Sequence, residues 1–166
     1  MLLLTRAGVV AALYAAMTYA FGSLAYGPLQ IRPAEALCML PLFFPETIVG
    51  LFVGCALSNL MSGFGLLDIV FGSLTTLIAA GATWAIGRAI KNRAAGAIVG
   101  GLPPVIFNAA LIPFVIIFAS PDGSMAFYWT YFLQLLLTET VWVYALGLPM
   151  ILSLGRMRDG GASFLN

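Results

Sequence analysis

The stretch AFYWTYFLQLLLTETVWVYALGLPMILSL, residues 126–154, decides the fold, because it is long and apolar enough to cross a lipid bilayer. A helix needs about 20 apolar residues to span a hydrocarbon core of roughly 30 Å. Near the middle of this stretch lies Glu139. An acidic side chain at the centre of a membrane helix costs about 2.5–3.5 kcal/mol, so it normally faces a polar cavity, a partner charge or a ligand. Glu139 is therefore predicted to mark a functional site.

The composition of the whole chain indicates an integral membrane protein. Of its 166 residues, 62% are hydrophobic and only 8% are charged, more apolar surface than one soluble core of this size can bury. Continuously apolar runs such as 48–60 and 69–86 show no strand-like alternation, and in lipid only helices or closed barrels satisfy the backbone. The chain is predicted to be all-α, a single transmembrane domain over residues 1–166.

Six membrane spans are predicted, near residues 7–25, 33–44, 46–62, 66–87, 96–119 and 126–154. Merging the second with the third would leave five spans, but Pro45 interrupts that helix. The positive-inside rule places Arg6, the basic cluster at 88–93 and the pair Arg156 and Arg158 on the cytoplasmic side. Six spans with both termini inside satisfy this rule, whereas five do not.

Several function classes are excluded by what the sequence lacks. The chain has no histidine, which removes the metalloprotease signature, serine–histidine catalysis and the usual zinc ligands. It has no G-x-x-x-x-G-K-[ST] loop, so energy for uphill transport must come from a partner subunit or an ion gradient. A net charge of +1 offers no basic patch for nucleic acid. Cys38 and Cys55 are expected to be small buried hydrophobes, and no enzyme activity, metal or cofactor is expected.

A ligand site is predicted around Glu139. Helical spacing places Tyr128, Leu135 and Trp142 on the same face, and Gln134 on an adjoining face. An acid framed by aromatic rings suits a flat, partly cationic ligand, which the rings hold by stacking and the carboxylate by hydrogen bonds. The alternative is a protonated Glu139 that bonds a backbone carbonyl and joins two helices.

Asn108 is a second candidate ligand contact. Pro103, Pro104 and Pro113 flank it in the fifth span, and each proline removes a backbone donor and disfavours the carbonyl bond one turn earlier. Broken backbone at membrane depth is tolerated beside protein or a watery cavity. An interhelical hydrogen bond is an equally good interpretation of Asn108.

Further polar residues are predicted to gather on the outer side of the membrane, opening a cavity outward. Asp68 begins the fourth span and is either a site residue or a complement to the helix dipole. Arg32 and Glu35 bracket a proline at the outer mouth, where they pair, gate the cavity or contact substrate. Asn59 is placed with them.

The first span carries small residues at four-residue spacing. Such a surface lets another helix backbone approach closely, so it is interpreted as a docking face for a partner or as internal packing within the same bundle. The two rows are Ala7, Ala11 and Ala15, and Gly8, Ala12 and Ala16.

The chain resembles the queuosine-precursor transporter family, QueT, in a series of motifs. These are QIRPAEALCMLP at 30–41, FPE at 44–46, SN at 58–59, GFGLLD at 63–68 and GS at 72–73. The resemblance extends over essentially the whole chain, and residues 26–76 are its most specific part. The later helices resemble the family mainly in length and in the placement of Asn108 and Glu139.

This resemblance implies a fold and a function. Members of the family are six-helix S components, multi-pass proteins of the prokaryotic cell membrane that capture a scarce micronutrient from outside. They associate with a transmembrane coupling subunit and two cytoplasmic ATPases of an energy-coupling factor (ECF) transporter, through the alanine-rich first helix. They are thought to topple in the bilayer to deliver the ligand. The implied substrate is a deazaguanine, such as the aminomethyl precursor or queuine, with Glu139 and Glu35 dividing its N–H edge and its cation between them.

Other functions stay open from the sequence. The same architecture serves other vitamins, such as riboflavin, thiamine or biotin, because fold does not fix function. A stand-alone carrier, in which Glu139 cycles a proton, needs no partner subunit. An intramembrane enzyme using Asp68 and Glu139 as an acid pair is weaker, since no spacing in the sequence brings the two together.

Overall fold

The computed structural model describes residues 1–27 and 30–160, and within them the chain is helical and contains no strand. The all-α class predicted from composition is therefore confirmed. A short helix, Ser23–Tyr26, follows the first of the principal helices. The six principal helices are α1 Leu2–Phe21, α2 Pro33–Leu42, α3 Thr47–Asn59, α4 Gly65–Ala89, α5 Arg93–Ala119 and α6 Met125–Arg158.

Four of these helices, α1, α4, α5 and α6, are long and apolar enough to cross a membrane. The other two, α2 with 10 residues and α3 with 13, are apolar but shorter. At about 1.5 Å per residue α3 is roughly 20 Å long, and α2, a 3₁₀ helix that rises about 2.0 Å per residue, is about as long. The chain is thus a multi-pass membrane protein, whereas the six-span count and the cytoplasmic location of both termini stay predictions.

Contacts gather most of the basic residues at one end of the bundle. The Arg6 guanidinium in α1 lies 3.1 Å from the Glu46 carboxylate, just before α3. Arg93 at the start of α5 and Arg158 near the end of α6 both lie over the ring of Phe43, at 5.8 and 6.0 Å. This basic end therefore brings together the start of α1, the turn between α2 and α3, the start of α5 and the end of α6.

The opposite end of the bundle is held by hydrogen bonds and one buried ion pair. The hydroxyl group of Tyr26 donates to the carbonyl of Ser58 at the end of α3, at 2.6 Å. Arg32, before α2, lies 3.5 Å from the carboxylate of Asp68 in α4. The helices therefore run alternately between two ends of different chemistry, and the candidate site lies nearer this second end.

The α2 segment is the central element of the fold, since all its residues from Pro33 to Pro41 are buried. Pro41 has no N–H to donate, so the segment cannot keep a continuous α-helical ladder. In a 3₁₀ helix, residues three apart eclipse each other, which aligns Glu35 with Cys38. A helix lies where the short second span is predicted, over residues 33–44, but it has this tighter form and ends at Leu42.

One small-residue row of α1 packs inside the bundle, against α3. A Cβ atom added at Gly50 would lie 2.5 Å from the carbonyl oxygen of Ala7, and one at Gly54 would lie 2.8 Å from that of Ala11. Ala11 and Ala15 are each only 7% exposed. Glycine is required at these two positions of α3 because the backbones of α1 and α3 are in contact there. This row of α1 therefore packs inside the bundle, which is one of the two predicted interpretations.

The second small-residue row of α1 faces away from the bundle. The side of α1 that carries this row is exposed along four turns of the helix. A Cβ atom added at Gly8 would have no neighbour within 4 Å. It is therefore the row that stays accessible to another helix. Its members are Gly8, Ala12 and Ala16.

Candidate functional site

A small polar cavity, here called the central cavity, lies among helices α2 to α6. Its volume is about 10 Å³, enough for about one water molecule. Four of the residues predicted from sequence meet on its walls, namely Arg32, Glu35, Asn108 and Glu139. The complete lining is Gln30, Arg32, Glu35, Cys55, Gly72, Thr76, Asn108, Ile112 and Glu139.

Glu35 is the most firmly held carboxylate of this cavity. It is 2% exposed, and the buried hydroxyl group of Tyr14 donates to its Oε1 atom. Its Oε2 atom accepts bonds from the Asn108 amide and the Cys38 thiol, each at 3.2 Å. Because a buried carboxylate is costly unless it is hydrogen-bonded, three donors from α1, α2 and α5 fix both its position and its rotamer.

Glu139 is equally buried but incompletely bonded. It is 3% exposed, and the Asn108 side chain also interacts with its carboxyl group. Its Oε2 atom has no hydrogen-bond partner among the described residues. An unpaired buried acceptor costs about 1–3 kcal/mol, so this atom is ready to accept a hydrogen bond from a ligand.

Gln30 supplies the complementary unpaired group. It is 3% exposed, and its Nε2 atom has no hydrogen-bond partner among the described residues. Its backbone has a φ of 43°, a left-handed conformation that costs a residue other than glycine of order 1–3 kcal/mol. Gln30 was not predicted as a site residue, because neither its spacing nor its residue type sets it apart in the sequence. Its position on the cavity wall depends on this backbone conformation.

Arg32 brings a positive charge to the wall and is held on several sides. Its Nε atom donates to the carbonyl of Ala25 at 2.9 Å, and its guanidinium lies 5.5 Å from the ring of Tyr26. Its ion-pair partner is Asp68, at 3.5 Å, with both side chains buried. Mutual pairing, one of the roles predicted for Arg32 and Glu35, is therefore not observed. Glu35 instead accepts hydrogen bonds from Tyr14 and Asn108.

Asp68 and Asn59 lie behind the cavity wall rather than on it. The Asn59 amide donates to the backbone carbonyl of Asp68 at 2.9 Å. A Cβ atom at Gly72 would lie 2.7 Å from the Asn59 amide nitrogen and 2.9 Å from an Asp68 carboxylate oxygen, so only glycine fits there. Asp68 begins a π-helical turn, Asp68–Gly72, and these two residues support Arg32 from the side away from the cavity.

Acidic groups outnumber basic ones around the cavity. Glu35 and Glu139 line it with one basic residue, Arg32, which is paired with Asp68. In a low-dielectric interior, two further carboxyl groups suit a cation or N–H donors.

The sequence of this chain is similar to those of known transporters. The profile of the QueT transporter family matches residues 4–156. The chain belongs to the QueT transporter family. A relative from Lactococcus lactis subsp. cremoris (strain MG1363), named queuosine precursor transporter QueT, is 38% identical over 72 residues. That alignment covers 42% of each protein, so the chain spans less than half of the relative's length. No solved structure matches the chain.

In this QueT family member, three predicted site residues besides Asn59 and Asp68 do not line the central cavity. The Tyr128 hydroxyl group donates to the carbonyl of Ala110 at 3.0 Å. Trp142 packs edge to face on Phe21, with 6.2 Å between ring centroids. Gln134 is half-buried, and its Oε1 atom has no hydrogen-bond partner among the described residues.

The two rings lie away from Glu139 for different reasons. Tyr128 belongs to the same regular α-helical stretch, Tyr128–Val141, but eleven residues correspond to about 16 Å along the helix axis. Trp142 begins the π-helical stretch Trp142–Gly147, where the buried positions Glu139, Val143 and Gly147 are four residues apart, so an offset of three residues leaves this face.

Both cysteines of this QueT protein are free and buried, as predicted, yet they contact polar groups of the site. The Cys55 sulfur accepts a hydrogen bond from Thr76 at 3.3 Å and from Asn59 at 3.6 Å. The Cys38 thiol donates to Glu35. Together with Tyr14, they are site residues that sequence reasoning missed, since each is also an ordinary core residue.

Proposed function

We propose that this chain is the substrate-capture subunit of an energy-coupling factor importer, and that its substrate is a queuosine precursor of the deazaguanine class. Membership of the QueT family and the name of the Lactococcus relative support this substrate class. The observation that carries the proposal is the pair of unpaired atoms on one buried cavity, a donor on Gln30 and an acceptor on Glu139.

This pair complements the lactam edge of a deazaguanine. That edge presents a carbonyl oxygen beside a ring N–H and an exocyclic amino group. The Gln30 amide donates to the carbonyl, and the Glu139 carboxylate accepts from the N–H groups, a charge-assisted contact of high strength in a buried site. Glu139 takes this role rather than Glu35, because Glu35 already accepts from three protein donors.

The second carboxylate suits the cation of an aminomethyl substituent. Glu35 lies on the same cavity wall. Arg32, the basic residue that lines the cavity with it, is already paired with Asp68, so the negative charge of Glu35 has no cationic partner of its own. A ligand ammonium group balances that charge without displacing the Tyr14 bond. A deazaguanine with an aminomethyl arm therefore satisfies both carboxylates at once.

Substrate entry requires the cavity to widen. Its volume of about 10 Å³ admits about one water molecule, far less than the roughly 300 Å³ or more of typical ligand pockets. The non-helical part of the wall is the loop that carries Gln30 and Arg32, while the other lining residues belong to helices. We therefore propose that residues 30–32 shift when substrate enters.

Coupling to ATP hydrolysis is assigned to partner subunits, because the chain has no phosphate-binding loop. The exposed row Gly8, Ala12 and Ala16 on α1 is proposed as the surface that meets a transmembrane coupling subunit, with two cytoplasmic ATPases beneath it. Small side chains allow close backbone contact between membrane helices, where packing rather than hydrophobicity drives association.

The substrate class is tested by calorimetric titration of the purified chain alone, without partners. We expect 7-aminomethyl-7-deazaguanine to bind at least about a hundredfold more tightly than its analogue with an amino group replacing the carbonyl, because that change places two donors face to face. Riboflavin, thiamine and biotin are expected to give no heat of binding. Equal affinity for the two deazapurines, or tight binding of a vitamin, would refute the proposed substrate.

A further inference from the structure

A second cavity, here called the basic pocket, lies at the basic end of the bundle, away from the central cavity. Its volume is about 300 Å³. It concentrates four of the seven lysines and arginines of the chain on one opening. These four are Arg88, Lys91, Arg93 and Arg158.

The four cations come from separate parts of the chain that the fold brings together. Arg88 ends α4, Lys91 lies in the following turn, Arg93 begins α5 and Arg158 lies near the end of α6. Arg93 also lies across Gly155 of α6, where an added Cβ atom would be 2.9 Å from its Cδ atom. The glycine therefore makes room for this arrangement.

Two of these guanidinium groups converge on one aromatic ring. Arg93 and Arg158 lie 5.8 and 6.0 Å from the centroid of Phe43, one from α5 and the other from α6. Among the side chains that the structure describes, no carboxylate lines the basic pocket. Positive charge concentrated at one opening attracts an anion.

The remaining walls of the basic pocket are apolar. Phe43 lies beneath the two guanidinium groups, and the other apolar side chains belong to α2, α5, α6 and the turn after α4. The basic pocket therefore has a positively charged rim and an apolar floor. The apolar lining residues are Leu42, Phe43, Ile90, Ala97 and Ile151.

The residues around this pocket are typical of the edge of a bilayer. Trp84, 36% exposed on α4, carries Arg88 over its ring at 5.5 Å, and tryptophan is typical of the membrane–water interface. Cationic pockets between membrane helices at this depth hold lipid phosphates, and the attraction is strongest on a leaflet rich in anionic lipid.

We propose that the basic pocket binds the phosphate of an anionic membrane lipid, with its glycerol and first acyl carbons on the apolar floor. The rim supplies several guanidinium donors suited to a phosphodiester. The floor favours a lipid over free inorganic phosphate, which has no apolar part to bury there. This site is independent of the substrate proposed for the central cavity.

The test is a native mass spectrometry titration of the purified chain with dioleoylphosphatidylglycerol and, separately, dioleoylphosphatidylcholine. We expect tighter binding of the phosphatidylglycerol, and an affinity about fivefold lower in Arg158→Gln. Arg156→Gln is the matched control, because Arg156 is exposed, two residues away on the same helix, and does not line the pocket. Lys91→Gln is a second pocket variant, in an exposed turn, should Arg158→Gln fail to fold.

Three results would overturn the lipid site. One is equal affinity for the two lipids. Another is a loss in Arg156→Gln as large as that in Arg158→Gln or Lys91→Gln. The third is displacement of the bound lipid by millimolar inorganic phosphate, which would show that the pocket recognises the free anion. Retention of phosphatidylglycerol by the wild-type chain and the control, with loss in the pocket variants, supports it.

Discussion

Replacing Glu139 with glutamine is expected to weaken deazaguanine binding about a hundredfold and to leave the folded chain at least as stable. The change keeps the volume of the side chain but removes its charge, so the charge-assisted bond to the ligand N–H groups is lost, at roughly 2–3 kcal/mol. Stability is retained because Glu139 Oε2 has no partner in the described structure, and an amide is less costly to bury than a carboxylate.

Calorimetry with 7-aminomethyl-7-deazaguanine measures this loss, and thermal unfolding of the same sample checks the fold. Asp122→Asn is the matched control, because it makes the same change of charge at an exposed position between α5 and α6. An affinity in Glu139→Gln that equals that of the control would remove Glu139 from the binding site.

Replacing Ala12 with leucine is expected to abolish assembly with the coupling subunit while leaving substrate binding by the isolated chain unchanged. Ala12 lies in the exposed row of α1, so the larger side chain meets nothing within the bundle and blocks only an approaching helix. Co-purification with the coupling subunit and the ATPases measures assembly, and calorimetry measures binding.

Two further variants make this result specific to the exposed row. Ala85→Leu makes the same substitution at an exposed position on α4 and is expected to leave assembly intact. Ala15→Leu falls in the buried row, 7% exposed, and is expected to destabilise the isolated chain, since overpacking costs about 1–3 kcal/mol. Recovery of a complete complex with Ala12→Leu would count against docking through α1.

Much of this fold can be predicted from the sequence, because the overall composition of the chain decides that it forms membrane helices. An apolar fraction of 62% with few charges dictates membrane helices, and the cost of a buried acid marks Glu139 in advance. Asn108, Arg32 and Glu35 were found by the same logic, as polar residues among apolar or proline-rich neighbours. All of them line the central cavity.

The missed residues depend on tertiary geometry that local spacing does not encode. Gln30 reaches the cavity through a left-handed backbone conformation. Tyr14 reaches Glu35, not the cavity itself, because two glycines of α3 let its helix pack closely. Tyr128 and Trp142 were predicted beside Glu139 from their angle around a regular α-helix. Tyr128 lies about 16 Å from Glu139 along the axis, and the π-helical turn that begins at Trp142 changes the spacing on the other side. Periodicity therefore predicts the helices better than it predicts which of their residues meet.

The most direct test of the central claim is an experimental structure of the chain with 7-aminomethyl-7-deazaguanine bound. We expect the base in a widened central cavity, with its carbonyl within hydrogen-bonding distance of Gln30 and its ring N–H within hydrogen-bonding distance of Glu139. A ligand bound elsewhere, with the carboxyl group of Glu139 still enclosed and not in contact with it, would contradict the account.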